Sequence, residues 1–321
     1  MKRLAIFAGY DKDSIIDDYV IYYLKELRKV ADIVFVYDTE FSKKELDKVK
    51  DLTIHQMCEK HGEYDFGSYK RGYLWAKEQG VLEKYDELIL CNDSAFGPFR
   101  PFKPIFKEME AKENCDFWGM FLHGSFKSKS YSVNAHIQSY FMVFKENVFN
   151  SNVFDLFMQK IKKLENKDDL IAKYEVGLSQ SLLKKGFKMH GVYESDYNDT
   201  HSEDAINLTK KGFPFLKRSL FDYTYYFIGC SCICQYKKVI KNLNKRYPVS
   251  VIDKNIYRVF DGKDVEFVLN RKFGRFEFNL LHRRFIKIRG RYNKEQRYQV
   301  SISLLGMRVI KITLAKKLGI K

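Results

Sequence analysis

The sequence predicts an α/β fold, a mainly parallel sheet with helices on both faces, and three observations carry that expectation. Short apolar runs recur at residues 4–8, 33–36, 52–57 and 87–91. Stretches with helical spacing of apolar residues separate them, the alternation that parallel sheets require. The fourth run, Glu87-Leu88-Ile89-Leu90, ends in the polar turn Cys91-Asn92-Asp93-Ser94-Ala95-Phe96-Gly97-Pro98. A buried strand that ends in this way delivers its polar side chains to the carboxyl rim of a sheet, where ligands of open α/β folds bind.

Each element has its own signal. After the strand at 4–8, Asp13-Ser14-Ile15-Ile16-Asp17 offers a capping box of Ser14 with Asp17. Apolar residues at 16, 20, 23, 24 and 27 then mark an amphipathic helix that closes near Lys29. Strand two, 33–36, ends at Tyr37-Asp38. Ser42 and Glu45 form a second capping box before a shorter helix; strand three covers 52–57, a helix 68–79, and strand four 87–91. Beyond Asp93 the pattern changes. Pro98, Pro101 and Pro104 precede an amphipathic helix through Met109, and 116–121 and 138–144 read as strands around the polar loop 123–134. Residues 148–164 and 174–185 read as helices, the second stopped by Gly186 at its C′ position, and 188–192 as a last strand. From Phe213 onward mixed strand and loop carries many cations.

The chain has 321 residues, 45% of them hydrophobic, and only 5 prolines, enough for one large domain or a domain with an appendage. Its net charge of +16 is unevenly placed. Residues 1–210 carry 31 Lys and Arg against 34 Asp and Glu, net −3, whereas residues 211–321 carry 26 against 7, net +19. The division predicts two parts with separate jobs, a nearly neutral front, 1–210, and a basic back, 211–321, that seeks an anionic surface. No stretch approaches the ~20 apolar residues of a membrane span. The start, Met1-Lys2-Arg3-Leu4-Ala5-Ile6-Phe7-Ala8, is too short for the apolar region of a signal peptide, so a cytoplasmic location is expected. Cys58, Cys91 and Cys115 read as core residues, and Cys230, Cys232 and Cys234 alternate as on one face of a strand. No CxxC pair is present, so these are read as structural cysteines rather than zinc ligands.

Two clusters carry candidate chemistry. Tyr64-Asp65-Phe66-Gly67-Ser68-Tyr69-Lys70-Arg71 combines an acid, a glycine and two cations; Asn92-Asp93-Ser94 puts a carboxylate at a strand end. An acid for a metal or sugar with cations for phosphate suggests a nucleotide-sugar site. The plainer alternatives are a helix cap for Asp93 and a solvated helix face for Lys70 and Arg71.

The ordered set of motifs resembles the rhamnan synthesis protein F family of bacterial polysaccharide glycosyltransferases. The set is Asp17-Asp18-Tyr19-Val20, Tyr64-Asp65-Phe66-Gly67, Asn92-Asp93-Ser94 with Phe96-Gly97-Pro98, Asp116-Phe117-Trp118-Gly119, His136-Ile137-Gln138-Ser139-Tyr140-Phe141, and Tyr174-Glu175-Val176-Gly177-Leu178 with Gly186-Phe187. It spans roughly residues 3–222. The resemblance implies a GT-A-like fold in which Asp38 meets the nucleoside and Asp65, Gly67, Lys70 and Arg71 lie against base and diphosphate. Asn92, Asp93 and Ser94 take the Asp-x-Asp place, with one carboxylate instead of two. Mg²⁺ or Mn²⁺ on Asp93 is therefore one way to neutralise the leaving group, and fixed Lys or Arg residues are the other. Glu175, eleven residues before Gly186, is the implied base. Trp118, Gly119, His136 and Gln138 are candidate acceptor contacts, with core packing the alternative for Trp118, and Lys217 with Arg218 can reach a phosphate.

The implied activity is sugar transfer, with inversion, from a dTDP- or UDP-sugar, a rhamnose-like deoxyhexose favoured, to a lipid-linked cell-surface glycan. The basic back fits the inner face of the cell membrane: 281–289 and 307–312 alternate apolar and basic residues, and 314–321 is a short basic amphipathic end. The competing readings are a non-catalytic carbohydrate- or nucleotide-binding relative and a basic nucleic-acid binder. No nucleic-acid motif supports the last, and no nucleic-acid partner is expected.

Overall fold

A computed structural model of the chain describes residues 1–127, 132–197, 199–201, 204–221 and 235–259, together with the strands 265–268, 276–280, 286–292, 298–304 and 307–313. The chain falls into two compact units, Met1–His201 with Lys211–Arg218, and Ser202–Lys210 with Ser219–Lys321.

The first unit is the expected α/β layer structure. Strands β1 (Arg3–Gly9), β2 (Asp32–Tyr37), β3 (His55–Cys58) and β4 (Glu87–Asn92) run parallel, with β1 between β4 and β2 and β3 beyond β2. Residues Leu4 to Ala8 are fully buried, as strands covered on both faces must be, which is why they read as continuous apolar runs. Helices α1 (Asp18–Leu27), α2 (Lys43–Leu46) and α3 (Tyr64–Glu78) make the crossovers. α1 buries Tyr19, Val20, Tyr23, Leu24 and Leu27, the stripe that the helical spacing marked.

After β4 the chain continues on the other side of the sheet through β5 (Ala95–Phe96), α4 (Phe102–Glu110) and β6 (Phe117–His123). Two short strands, β7 (Phe126–Lys127) and β8 (Ser132–Val133), pair with each other; β9 (His136–Ile137) pairs with β6. β10 (Phe141–Lys145) then inserts antiparallel between β4 and β6. α5 (Glu146–Phe149), α6 (Asn152–Gln159), α7 (Lys167–Leu170) and α8 (Gly177–Lys184) lead to β11 (Met189–Ser195), parallel to β6 at the edge. The sheet order is β11-β6-β10-β4-β1-β2-β3. The chain leaves β1 toward one edge and β4 toward the other, so the gap beyond their carboxyl ends is the topological switch point where such sheets bind ligands.

The second unit contains α9 (Ala205–Lys210), helices Tyr236–Leu243 and Ser250–Val259, and a five-stranded antiparallel meander in chain order, 265–268 to 307–313. Cys230, Cys232 and Cys234 and the basic end 314–321 lie outside the described residues, as does part of 281–289.

Several expectations about local structure are corrected. Ser14 has φ +57° and stands outside α1, whose N-cap is Asp17 with no side-chain cap bond; the first capping box does not form. The second does, with Ser42 accepting from the Glu45 amide. Strand three is shorter than 52–57 because Lys50–Leu52 takes a helical turn. The helix expected at 68–79 begins at Tyr64, which draws Asp65 and Gly67 into its first turns. The helix expected at 148–164 is interrupted where Ser151 caps α6. The helix expected from Tyr174 is preceded by α7 and a π-helical turn, Ile171–Val176, so Glu175 is not a first-turn residue.

Candidate functional site

β4 carries its apolar run to Asn92, and the following turn is held from three directions. The Asp93 amide donates to the Ala8 carbonyl at the end of β1, the Tyr19 hydroxyl of α1 donates to the Asp93 carbonyl (3.0 Å), and the Tyr37 hydroxyl at the end of β2 donates to Oδ2 of Asp93 (3.1 Å). Burial raises the Asp93 carboxyl to about 6 against the pull of Arg218, whose Nη1 stands 3.6 Å from Oδ2, and of the Tyr37 hydroxyl. The same environment pushes the Arg218 guanidinium up, because Tyr19, Asp93 and Tyr37 together overcome its burial, and it remains a fixed cation.

Lys217 and Arg218 reach this turn on β12 (Leu216–Lys217), which pairs antiparallel with β5 so that Lys217 stands opposite Ala95. The Arg218 amide donates to the Ser94 carbonyl (2.9 Å) and the Phe99 amide to the Pro214 carbonyl (2.8 Å). Phe215 locks this strap into the core against Tyr23, Phe102, Tyr140 and Phe141. Gly97 makes the approach possible: it has φ +144°, and a Cβ there would stand 2.5 Å from the Pro214 carbonyl oxygen. Lys217 Nζ donates to Ser94 Oγ (3.2 Å) and lies 4.0 Å from the centre of the Tyr140 ring.

A second polar cluster adjoins the first. Asn92 donates from Nδ2 to Oδ2 of Asp65 (2.9 Å) and accepts at Oδ1 from the Ser94 amide (3.1 Å). The Ser139 hydroxyl donates to Asp65 Oδ2 (3.3 Å), and the Ser139 amide donates to Glu175 Oε2 (2.6 Å). His136 Nε2 stands 3.4 Å from Glu175 Oε1, while its Nδ1 meets the Asn134 carbonyl oxygen at 2.9 Å. Four separate elements thus join one network, Asn92–Asp65–Ser139–Glu175–His136.

Charge in this cluster is set by donors. Burial alone raises the Glu175 carboxyl, but His136 and Ser139 outweigh it and hold it at about 2. The same ion pair raises His136 against its burial, so the imidazolium is favoured. Asp65 is raised by burial and by the neighbouring Glu175. The π turn, with its i→i+5 bonding, sets Glu175 at this spot; such turns occur often at functional sites. The donors of His136 and Ser139, not a helix N-terminus, keep the carboxylate ionised.

The other sequence-derived candidates are placed elsewhere or tied up. Lys70 Nζ donates to the Ile161 carbonyl (2.7 Å); Arg71 bonds Glu63 (2.6 Å), Glu59 (3.2 Å) and the Gly67 carbonyl (3.1 Å), which occupies both cations within the fold. Gly67 faces Glu63, whose Cβ would stand 2.3 Å from an added Cβ, so it serves helix packing rather than ligand approach. Asp38 accepts from the amides of His61 (2.6 Å) and Gly62 (2.8 Å) and anchors the turn before α3. Trp118 is buried against Phe106 and Phe141, a core residue without the exposed face a sugar platform needs. An added Cβ on Gly119 would stand 2.0 Å from Cγ2 of Ile137, so its role is close packing. Gln138 accepts from the Thr200 hydroxyl (2.9 Å). The sequence does not single out Tyr19, Tyr37 or Ser139 as site residues; the motifs containing Tyr19 and Ser139 are the available signal.

A divalent cation would need a fuller donor set than Asp93 offers. Such an ion takes about six oxygen ligands. Asp93 offers one buried carboxylate with a hydroxyl donating to it and a guanidinium beside it, and no group of three His, Cys, Asp or Glu among the described residues could hold a metal ion. The residues at Asp93 do not fit the expected Mg²⁺ or Mn²⁺.

The model of rhamnan synthesis protein F matches residues 33–284. Among curated proteins, the chain is similar to the uncharacterized protein y4gN of Sinorhizobium fredii, 25% identical over 59% of this chain and 48% of that protein. It is also similar to virulence protein VirA of Vibrio anguillarum, 26% identical over 68% of this chain and 79% of that protein. The chain thus spans about half the length of the first relative. Among solved structures, the mannosyltransferase Ktr4p from S. cerevisiae shares 12% identity with a TM-score of 0.34, over 48% of this chain and 59% of that one. A glycosyltransferase that acts in glycosylation of the major capsid of PBCV-1 shares 10% with a TM-score of 0.34, over 67% and 91%. At these scores the likeness carries no weight for function.

Proposed function

We propose that this chain, which belongs to the rhamnan synthesis protein F family, is a glycosyltransferase that moves a sugar from a nucleoside-diphosphate donor to a growing cell-surface polysaccharide. The observation that supports it is the continuous network Asn92–Asp65–Ser139–Glu175–His136 beside the Asp93 turn on the carboxyl rim of the sheet. It brings an ionised, buried carboxylate next to a strand end at the switch point, where a nucleotide ligand is expected.

In this reading Glu175 accepts the proton of the acceptor hydroxyl as its oxygen attacks the anomeric carbon, and the bond from that carbon to the diphosphate oxygen breaks with its electron pair. One base and no second nucleophile fit direct displacement with inversion. While His136 is protonated, Glu175 is a poor base; loss of the imidazolium proton restores its basicity. Asn92, Asp93 and Ser94 shape the donor side of the rim, and His136 the acceptor side. A dTDP- or UDP-linked deoxyhexose of the rhamnose type and a lipid-linked glycan acceptor are the favoured substrates, residues 1–210 being the transferase part. The +19 charge of residues 211–321 supports docking on the inner face of the cell membrane. Among the described residues no helix is long and apolar enough to cross a membrane.

A thermal-shift panel of nucleotide sugars tests the reading, since a ligand of the folded state raises its melting point. At least one dTDP- or UDP-sugar should shift it at millimolar concentration; no shift with any of them rejects the donor assignment. Sedimentation with anionic vesicles at low salt and release at 1 M salt, where the Debye length is ~3 Å, tests the membrane proposal; equal binding to neutral vesicles contradicts it.

A further inference from the structure

We propose that Arg218 and Lys217 form an anion subsite that holds the donor's diphosphate and neutralises its leaving charge, so that transfer proceeds without a divalent cation. The inference rests on the glycosyltransferase reading above and specifies how that same rim handles the phosphates.

Three features carry it. First, the strap is built to present the two cations: backbone pairing of β12 with β5, the Phe215 anchor and the close approach at Gly97 fix residues 216–218 over the turn that ends β4. Second, Arg218 has capacity to spare. Its Nη1 makes the contacts with Asp93, and among the described residues no acceptor meets Nε or Nη2, although a guanidinium offers five donors. Its side chain keeps 22% of its surface exposed, and the fork of a guanidinium matches phosphate oxygens. Third, the site is poor for a cation. A metal at Asp93 would sit beside a guanidinium 3.6 Å from the carboxylate, whereas an anion there meets Arg218 and Lys217 together.

The two cations stand where the leaving charge develops. As the acceptor oxygen bonds to the anomeric carbon, the electron pair of the breaking carbon–oxygen bond stays on the outer phosphate, adding one negative charge. Arg218 and Lys217 supply two positive charges against the one negative charge of Asp93, a net positive charge that offsets the one developing on the outer phosphate. Fixed cations held in place before reaction stabilise such developing charge at no cost of rearrangement.

Calorimetry on the full chain tests the inference with UDP, dTDP and inorganic pyrophosphate, each in EDTA and with Mn²⁺. Pyrophosphate and at least one nucleotide should bind in EDTA with an affinity that Mn²⁺ leaves within twofold. Arg218→Gln should weaken that binding about 10- to 100-fold, since charge-assisted bonds of ~1.5–3 kcal/mol are lost. Lys217→Gln should cost less, and Arg218→Lys should keep part of the affinity, with melting curves confirming that each variant is folded. Binding that requires Mn²⁺ overturns the inference and leaves the transferase reading standing. Binding in EDTA that Arg218→Gln does not weaken overturns it as well, as does an absence of binding by every probe. Pyrophosphate binding through Arg218 with no added affinity from either nucleoside supports the anion subsite and sinks the transferase reading instead.

Discussion

Asp93 and Glu175 stand in adjoining clusters of one unit, both withdrawn from solvent, and their surroundings drive them in opposite directions: burial takes Asp93 up to about 6, and donors take Glu175 down to about 2. The difference lies in what faces each carboxylate. Asp93 has one hydroxyl at 3.1 Å, the backbone amide of Tyr10 and a guanidinium at 3.6 Å. Glu175 has a backbone amide at 2.6 Å on one oxygen and an imidazole on the other. Equal burial therefore does not produce equal carboxylates, and the closeness and strength of the donors facing each one decide which way its value moves. In the proposed mechanism the pair divides the labour: a cationic end for the leaving group and an anionic end for the proton.

Glu175→Gln should break that division most severely. Losing the base should lower the transfer rate about 10²- to 10⁴-fold while calorimetry shows nucleotide affinity within twofold of wild type; a fully active variant refutes the base role. Gly97→Ala attacks only the cationic end. A Cβ at that position collides with the Pro214 carbonyl oxygen at positive φ, so the strap must shift. The expected cost is about 1–3 kcal/mol of stability, read as a lower melting temperature, with weakened nucleotide binding; an unchanged melting temperature shows that the strap tolerates the methyl.

A pH profile sharpens the anionic end. His136 titrates above its ordinary 6.5 because Glu175 favours its charged form. Transfer should therefore rise as pH climbs through that raised value, when the imidazolium no longer suppresses Glu175, and His136→Gln should remove this limb from the kcat profile. Stability should move the other way. The raised His136 stabilises the fold fully below its unfolded value and loses that contribution as pH rises through the folded one. The depressed Glu175 contributes above its unfolded value of ~4.3 and loses that contribution as pH falls toward about 2. A melting temperature that climbs in step with activity contradicts the pair. The smallest effect is expected for Lys70→Ala, whose partner is the Ile161 carbonyl and which belongs to neither end; nucleotide affinity should stay within about twofold, and a tenfold loss returns Lys70 to the donor site.

Much of this was legible in the sequence. Strands buried on both faces announce themselves as unbroken apolar runs, which is why 4–8, 33–36 and 87–91 were placed within a residue or two. Asp93 followed from its strand end. What the sequence hid depends on distant partners. Nothing near Lys70 says that its ammonium meets a carbonyl 91 residues later, and nothing near Asp93 says that Arg218, 125 residues on, pairs with it through β12. The π turn is invisible too, because one extra residue per turn leaves no compositional mark, and nothing in the sequence says that His136 and Ser139 hold the charge of Glu175. Trp118 shows the reverse: its aromatic face fitted a sugar platform until packing against Phe106 and Phe141 placed it in the core.

The central claim is most directly tested by incubating the full chain with dTDP- and UDP-sugars and a lipid-linked glycan acceptor, then following the anomeric proton signal of the product by NMR. Release of the nucleoside diphosphate should be matched by a new glycoside of inverted anomeric configuration. A product that retains the donor's configuration contradicts the single-base mechanism, and no consumption of any nucleotide sugar contradicts the assignment of this rim as a glycosyl-transfer site.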